Sequence, residues 1–285
     1  MPGMQIPMAT LRDTDERLTG ERPRQGVTPD SLLALHDAGY RAVLERVGKG
    51  PMLDVGCGEG FESARLAGPD RPVVGADYSQ AAARLAQARF ADQGLHVACM
   101  DATALSLAEG SFASVCSSHL IEHFVDPEAH VVELARVLHE GGSAYFLTPN
   151  KPADFENPFH VHLFDRDDLV SLLKRHFAEV WVGGVDAVDS VKAELAARRA
   201  KANKVLALDV FDLRHRIPRD WYVAAYTKLL PIAYRVMARR DTGGTTGITE
   251  DDWFVTDTTD DTTLVLFAIA RRPRRPGHPP SGSYG

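Results

Sequence analysis

Apolar positions first recur on a helical period. Leu32, Leu33, Leu35, Tyr40, Val43, Leu44 and Val47 form one stripe, which ends at Gly48 and Gly50. Thr28, Pro29 and Asp30 precede it as a cap, a first-turn proline and an acid that suits the positive end of a helix. The period then shortens. "PMLDVGCGEG" is an apolar strand running into glycines, and "RPVVGADYS" is a second strand followed by the helical "QAAARLAQARFADQG". "LHVACMDATAL" and "SFASVCSSHL" read as the third and fourth strands. "DPEAHVVELARVLHEGG" predicts a helix stopped by its paired glycines, and "SAYFLTPN" a fifth strand ended by Pro149, which has no N–H to donate. Alternating strands and helices imply a parallel sheet with helices on both faces.

Beyond Pro149 comes a polar loop with His160 and His162 in alternation, then the helix "DRDDLVSLLKRHF" and the strand "AEVWVGG". From about Asp186 to Arg240 the pattern is helical, broken at Pro218 and Pro231. A Gly/Thr/Asp-rich stretch follows, with Trp253 and Phe254 between acids in what reads as a loop, and "TLVLFAIARR" is the last strand, interior or next to an antiparallel edge. The expected division is a flexible arm over 1–27, a core over 28–185, a mainly helical insertion or lid over 186–250, the last core strand in 251–272 and a disordered tail over 273–285. An insertion whose ends return to neighbouring strands would lie over one end of the sheet.

Composition narrows the classes. A chain of 285 residues, 44% hydrophobic and 25% charged, supports one large soluble domain or a domain with a subdomain. A net charge of -7 disfavours a broad nucleic-acid surface. Cys57, Cys99 and Cys116 show no paired spacing, which fits a reducing compartment. No apolar run reaches the roughly 18 residues that cross a bilayer, and the first residues lack the order of a signal peptide. The expectation is a cytoplasmic protein without membrane or nucleic-acid partners.

Candidate chemistry gathers at the carboxyl ends of the strands, where open parallel sheets bind ligands. The first strand runs into Asp54, Gly56, Cys57, Gly58, Glu59 and Gly60, a loop able to turn tightly and approach a ligand closely. Its spacing is G-x-G-x-G, with Phe61 where the dinucleotide fingerprint has its third glycine. Three acids (Asp54 or Glu59, Asp77, Asp101) fall near the ends of successive strands along one rim. Asp77 is spaced to accept from ribose hydroxyls, and Asp101-Ala102 to meet an exocyclic amine.

"LDVGCGEG", "GADYS", "MDATAL", "SVCSSHLIEHF" and "ELARVLHEGGSAYFLTPN" together resemble the consecutive motifs of class I S-adenosylmethionine-dependent methyltransferases, from Met52 to Asn150. The resemblance implies a Rossmann-like, doubly wound α/β fold. Its seven-stranded, mostly parallel sheet would end in a reversed hairpin, with the helical insertion before the last strand. It implies S-adenosylmethionine as cofactor and S-adenosylhomocysteine as product. Gly56, Gly58 and Gly60 would lie beside the methionine part, Asp77 on the ribose and Tyr78 on the adenine. Asp101 and Ala102 would meet the adenine edge, with Ser118 and His119 under the methionine part. Cys57 reads as small and buried. "HVHLFDRDDL" resembles small-molecule members of the family.

Methyl transfer from a sulfonium needs in-line positioning and, for an alcohol, a base, for which histidine is suited. His119, His123 and His160 are the candidates, with His162; alternation puts only one of the last two on the cavity side. Asn150, Phe155, Phe159 and His160 are placed to line the acceptor side. No metal is assigned, since the sequence pins no complete ligand set. The acceptor expected is a hydroxyl, or a nitrogen, of a natural product, sugar or related metabolite. "SSHL" stands where base-amino methyltransferases carry N-P-P-Y/F/W. Aromatics of the insertion, Trp221 to Tyr234, read as packing, as a cap on the acceptor or as a homodimer contact. The competing classes are a nicotinamide-dependent oxidoreductase, against which Phe61 argues, and a non-catalytic partner protein, against which Asp77 and Asp101 argue.

Overall fold

The computed structural model describes residues 30–154, 160–206 and 247–275. The arm, the Thr28-Pro29 cap, Phe155, Phe159, the insertion from 207 to 246 and the end of the tail lie outside the described residues.

Helices are α1 (Asp30–Leu44), α2 (Phe61–Leu66), α3 (Gln80–Phe90), α4 (Pro127–Val137), α5 (Arg166–His176) and α6 (Asp189–Leu206). Strands are β1 (Met52–Val55), β2 (Val73–Asp77), β3 (Leu95–Cys99), β4 (Phe112–Ser118), β5 (Leu138–Pro149), β6 (Phe177–Ala187), β7 (Trp253–Thr256) and β8 (Val265–Pro273). They form one sheet in the order β3-β2-β1-β4-β5-β8-β6-β7. β1 to β5 pair in parallel, and β8 runs antiparallel between β5 and β6. The order reverses at β1, whose neighbours are β2 and β4, so the carboxyl end of β1 is a topological switch point.

Period-two alternation in the strands builds a core on each face of the sheet. Leu53, Val115, Phe146, Leu266 and Ala268 face one cluster, with Val131 and Leu134 of α4 and Leu169 and Leu173 of α5. Met52, Cys116, Tyr145, Leu147 and Phe267 face the other, with Ala38, Tyr40 and Val43 of α1. β8 is buried on both faces from Val265 to Ala270, as its unbroken apolar run requires.

Three expectations are corrected. The sheet has eight strands, because Trp253–Thr256 pairs with Gly184–Ala187 as an edge strand and not a loop. Four residues are too few to show a period. Trp253 is buried, and Arg41 of α1 ties this strand down through Trp253 O at 2.8 Å and Asp251 at 2.7 Å. The paired glycines do not stop α4. The helix ends at Val137, and Gly141 and Gly142 lie within β5 where the register jumps from Phe112↔Leu138 to Ser114↔Ser143. A Cβ on Gly142 would stand 2.7 Å from Leu138 Cδ2 and 3.1 Å from Ala113 O, so glycine serves a close strand approach. The start of the expected tail is ordered: β8 reaches Pro273, Arg274 N donates to His176 O at 2.7 Å, and the Arg275 guanidinium donates to Arg136 O at 2.8 Å. Among the described residues no helix is long and apolar enough to cross a membrane.

Candidate active site

The turn after β1 is built from glycines in the left-handed region: Gly56 at φ 82, Gly58 at φ 54 and Gly60 at φ 82. Gly56 N and Cys57 N donate to Ala76 O at 2.7 and 3.1 Å, fastening the loop to β2. The Asp77 carboxylate accepts from Gly58 N at 2.9 Å and from Ser79 N at 2.8 Å. One carboxylate therefore holds the glycine loop and the start of α3 together. Cys57 is buried with its sulfur against Gly75, the small packing role expected of it.

The acids expected along the rim separate. Asp54 lies beneath the loop, fully buried, accepting from Tyr40 OH of α1 at 3.1 Å and from Ser63 of α2. Burial raises its pKa to about 6 against those hydrogen bonds. Glu59 is ion-paired to Arg89 of α3 at 3.0 Å. Asp101 stays at the exposed rim, and its carboxylate accepts from Thr103 N at 2.8 Å and Thr103 Oγ1 at 2.7 Å, which lowers its pKa. Ala102 O meets His130 Nδ1 at 3.0 Å; that buried ring also meets Ser117 Oγ at 2.9 Å, and burial lowers its pKa to about 4. Tyr78 is 66% exposed beside Asp77. Ser118 Oγ, at the end of β4, is buried and has no partner among the described residues.

The histidines occupy the neighbouring rim, after β4 and β5. His119 sits at φ 49, its N–H held by Leu147 O at 2.8 Å. Its ring packs on His36 of α1 at 4.4 Å between centroids, and its Nδ1 is 3.7 Å from Glu122 Oε1. Burial, then the charges of His36, His160 and His123, lower its pKa well below the ordinary 6.5. Ile121–His123 is a short 3₁₀ turn. Glu122 is buried; Oε2 accepts from Thr148 Oγ1 at 3.0 Å, and burial raises the carboxyl's pKa. The Glu122 carbonyl receives Val161 N at 2.9 Å and His162 N at 3.0 Å, which pins the opposite loop to this turn. His160 thereby meets the His123 ring at 5.3 Å between centroids, while His162 packs on Phe164. Alternation separates the two as expected.

Asn150 acts as a tether among the described residues. It is buried and donates to Asp260 O and Thr263 O, both at 2.9 Å, tying the loop to the approach of β8. Two residues of the rim carried no usable sequence signal and a third carried a weak one. His36 comes from a helix more than eighty residues upstream of His119. Asp154 sits 3.0 Å from His160 Nδ1 in a loop with no period. Glu122 was legible only as a neighbour of His123.

Residues 53–146 match the family model described as a methyltransferase domain. The chain is 30% identical over 170 residues to a protein of Mycolicibacterium smegmatis named a probable S-adenosylmethionine-dependent methyltransferase. That match covers 57% of this chain and 65% of the relative, so the chain spans less than two thirds of the relative's length. A ubiquinone biosynthesis O-methyltransferase of Parvibaculum lavamentivorans is 35% identical over 101 residues, covering 35% of this chain and 40% of the relative. A solved S-adenosylmethionine-dependent methyltransferase from Thermotoga maritima superposes with a TM-score of 0.54 at 15% identity, covering 85% of this chain and 91% of that one, a likeness of fold. Over residues 53–146 the chain is thus similar to methyltransferase domains, and its sheet has the fold of a solved S-adenosylmethionine-dependent methyltransferase.

Proposed function

We propose that the protein transfers a methyl group from S-adenosylmethionine to a hydroxyl oxygen, or to a nitrogen, of a small molecule. The observation that carries the reading is the rim around the glycine loop. Ser118 Oγ is a buried polar atom with no partner among the described residues, at the strand end beside the loop. A Cβ built on Gly58 meets nothing within 4 Å, which is the open approach a ligand backbone contact needs. Tyr78 presents an exposed ring beside Asp77. These features fit an adenosyl ligand lying across the ends of β1, β2 and β4.

In this reading Gly56, Gly58 and Gly60 border the methionine part and Ser118 donates to it. Asp77 takes the ribose hydroxyls; a carboxylate accepts up to about four hydrogen bonds, so anchoring the loop does not preclude this role. Tyr78 covers the adenine, and Asp101 and Ala102 meet its edge. The cofactor supplies a methyl carbon made electrophilic by the sulfonium, so the protein's task is to align the acceptor and keep water out. His119 is the base: burial keeps its ring neutral, and its Nε2, without a hydrogen-bond partner among the described residues, takes the acceptor's proton as the oxygen–carbon bond forms and the sulfur–carbon bond breaks. An oxygen acceptor is favoured by the O-methyltransferase named above, whose match covers 40% of that relative.

Calorimetric titration with S-adenosylmethionine, S-adenosylhomocysteine and NAD tests the proposal. The expected result is saturable binding of both adenosyl ligands and none of NAD, followed by labelled methyl transfer in an acceptor screen. Binding of NAD alone, or of no ligand by folded protein, overturns it.

A further inference from the structure

The groups between the two rim loops form a set that methyl transfer by itself does not explain. Glu122, His123 and His160 each bring one ligand-type atom within 4.8 Å of the others. They come from different loops, and their proximity is imposed by backbone: the Glu122 carbonyl receives both Val161 N and His162 N. Glu122 is 1% exposed, yet its Oε1 has no hydrogen-bond partner among the described residues. His119 Nδ1 stands 3.7 Å away, beyond hydrogen-bond reach, and a carboxyl so buried takes up either a proton or a cation. His160 Nδ1 lies 3.0 Å from both oxygens of Asp154, a pair with side chains only 8% and 7% exposed. Metal-ligating imidazoles are oriented in this way, with the second nitrogen donating to a carboxylate.

We propose that Glu122, His123 and His160 bind a divalent first-row cation, with Asp154 as the residue that orients His160. Two imidazoles and one carboxylate suit Zn²⁺, Mn²⁺ or Co²⁺ and not the all-oxygen preference of Ca²⁺ or Mg²⁺. Donors bound at about 2.1 Å stand roughly 3.4 Å apart in a tetrahedral site, so atoms now within 4.8 Å of one another close by at most about 1.4 Å on binding. Three protein ligands leave a coordination position open, and the cation there would hold and acidify an oxygen acceptor. That use of the site rests on the methyl-transfer reading; the binding itself does not.

The test uses the tag-free full chain, treated with chelator and dialysed. It is titrated with Co²⁺ by visible absorption and with Zn²⁺ and Mn²⁺ by calorimetry. One equivalent of binding is expected, weakened at least tenfold in Glu122→Gln and in His160→Gln, and 10–100-fold in Asp154→Asn. His123→Gln replaces any variant that fails to fold by circular dichroism. No saturable binding by folded wild-type protein, or affinity unchanged in the variants, overturns the proposal. S-adenosylhomocysteine is titrated in parallel. Cofactor binding without metal removes the cation site alone, and metal binding without cofactor removes the methyl-transfer reading alone.

Discussion

Asp77 accepts from Gly58 N and Ser79 N, so removing its carboxylate acts on the loop as well as on a ligand. Asp77→Ala is expected to weaken S-adenosylhomocysteine binding by about 1–3 kcal/mol, read by calorimetry, and to lower the melting temperature because two backbone donors lose their acceptor. Asp77→Asn should recover part of the stability and less of the affinity. Unchanged affinity in Asp77→Ala would remove the ribose role. At this scale local sequence separates acids poorly. Asp54 and Asp77 both stand near the end of an apolar strand before a turn, and their neighbours in sequence do not tell which one is buried beneath the loop. The difference comes from Tyr40 and Ser63, which reach Asp54 only after α1 and α2 have packed on the sheet. His119 was legible at the end of β4, whereas His36, the ring it packs on, was not.

The loop from Gly56 to Gly60 gives a test at the scale of an element, because its glycines meet different surroundings. A Cβ on Gly60 would stand 2.8 Å from Ala86 Cβ and 2.9 Å from Leu95 Cδ2, at φ 82. A Cβ on Gly58 would meet nothing within 4 Å, at φ 54. Gly58→Ala is therefore expected to cost only the left-handed strain, about 1–2 kcal/mol, while sharply lowering S-adenosylhomocysteine affinity by filling the ligand's approach. Gly60→Ala adds overpacking of roughly 1–3 kcal/mol to the same strain, so it should be the less stable variant in urea unfolding. Equal unfolding midpoints, or full affinity in Gly58→Ala, would contradict these assignments. Strands with a long apolar run were legible, β8 above all, and the short β1 was legible by the glycine turn that follows it. β7 was not, because its pairing with β6 and its tie to Arg41 are made across the chain.

For the whole molecule, Asp54 links folding to pH. Its folded pKa of about 6 stands above the ordinary 3.8, so the folded state holds the proton more tightly than the unfolded state. Stability therefore falls as pH rises from about 4 to about 6, and the loss persists above that window. The size is about 3 kcal/mol at about 1.4 kcal/mol per pH unit. Glu62, raised to about 8 by burial and by Asp37, adds a slope of the same sign at higher pH. Asp54→Asn is expected to reduce the stability difference between pH 4.5 and pH 7 in urea titrations while leaving the Glu62 component. A variant with the wild-type slope would show that Asp54 does not carry this linkage.

Taken by itself, the sequence determined the alternation of strand and helix, the glycine turn after the first strand and the two-sided burial of the last strand, while the class of cofactor followed from its motifs' resemblance to a known family. The structural features are written in periods and spacings of a few residues, which local sterics and side-chain burial enforce before any distant contact forms. Only the tertiary structure decided that Asp54 lies under the loop, that Asn150 is a tether, that Trp253 begins an eighth strand, and that Glu122, His123 and His160 converge. Each depends on groups brought together from distant parts of the chain, and the free energy of such contacts resides in packing and desolvation that no local spacing records.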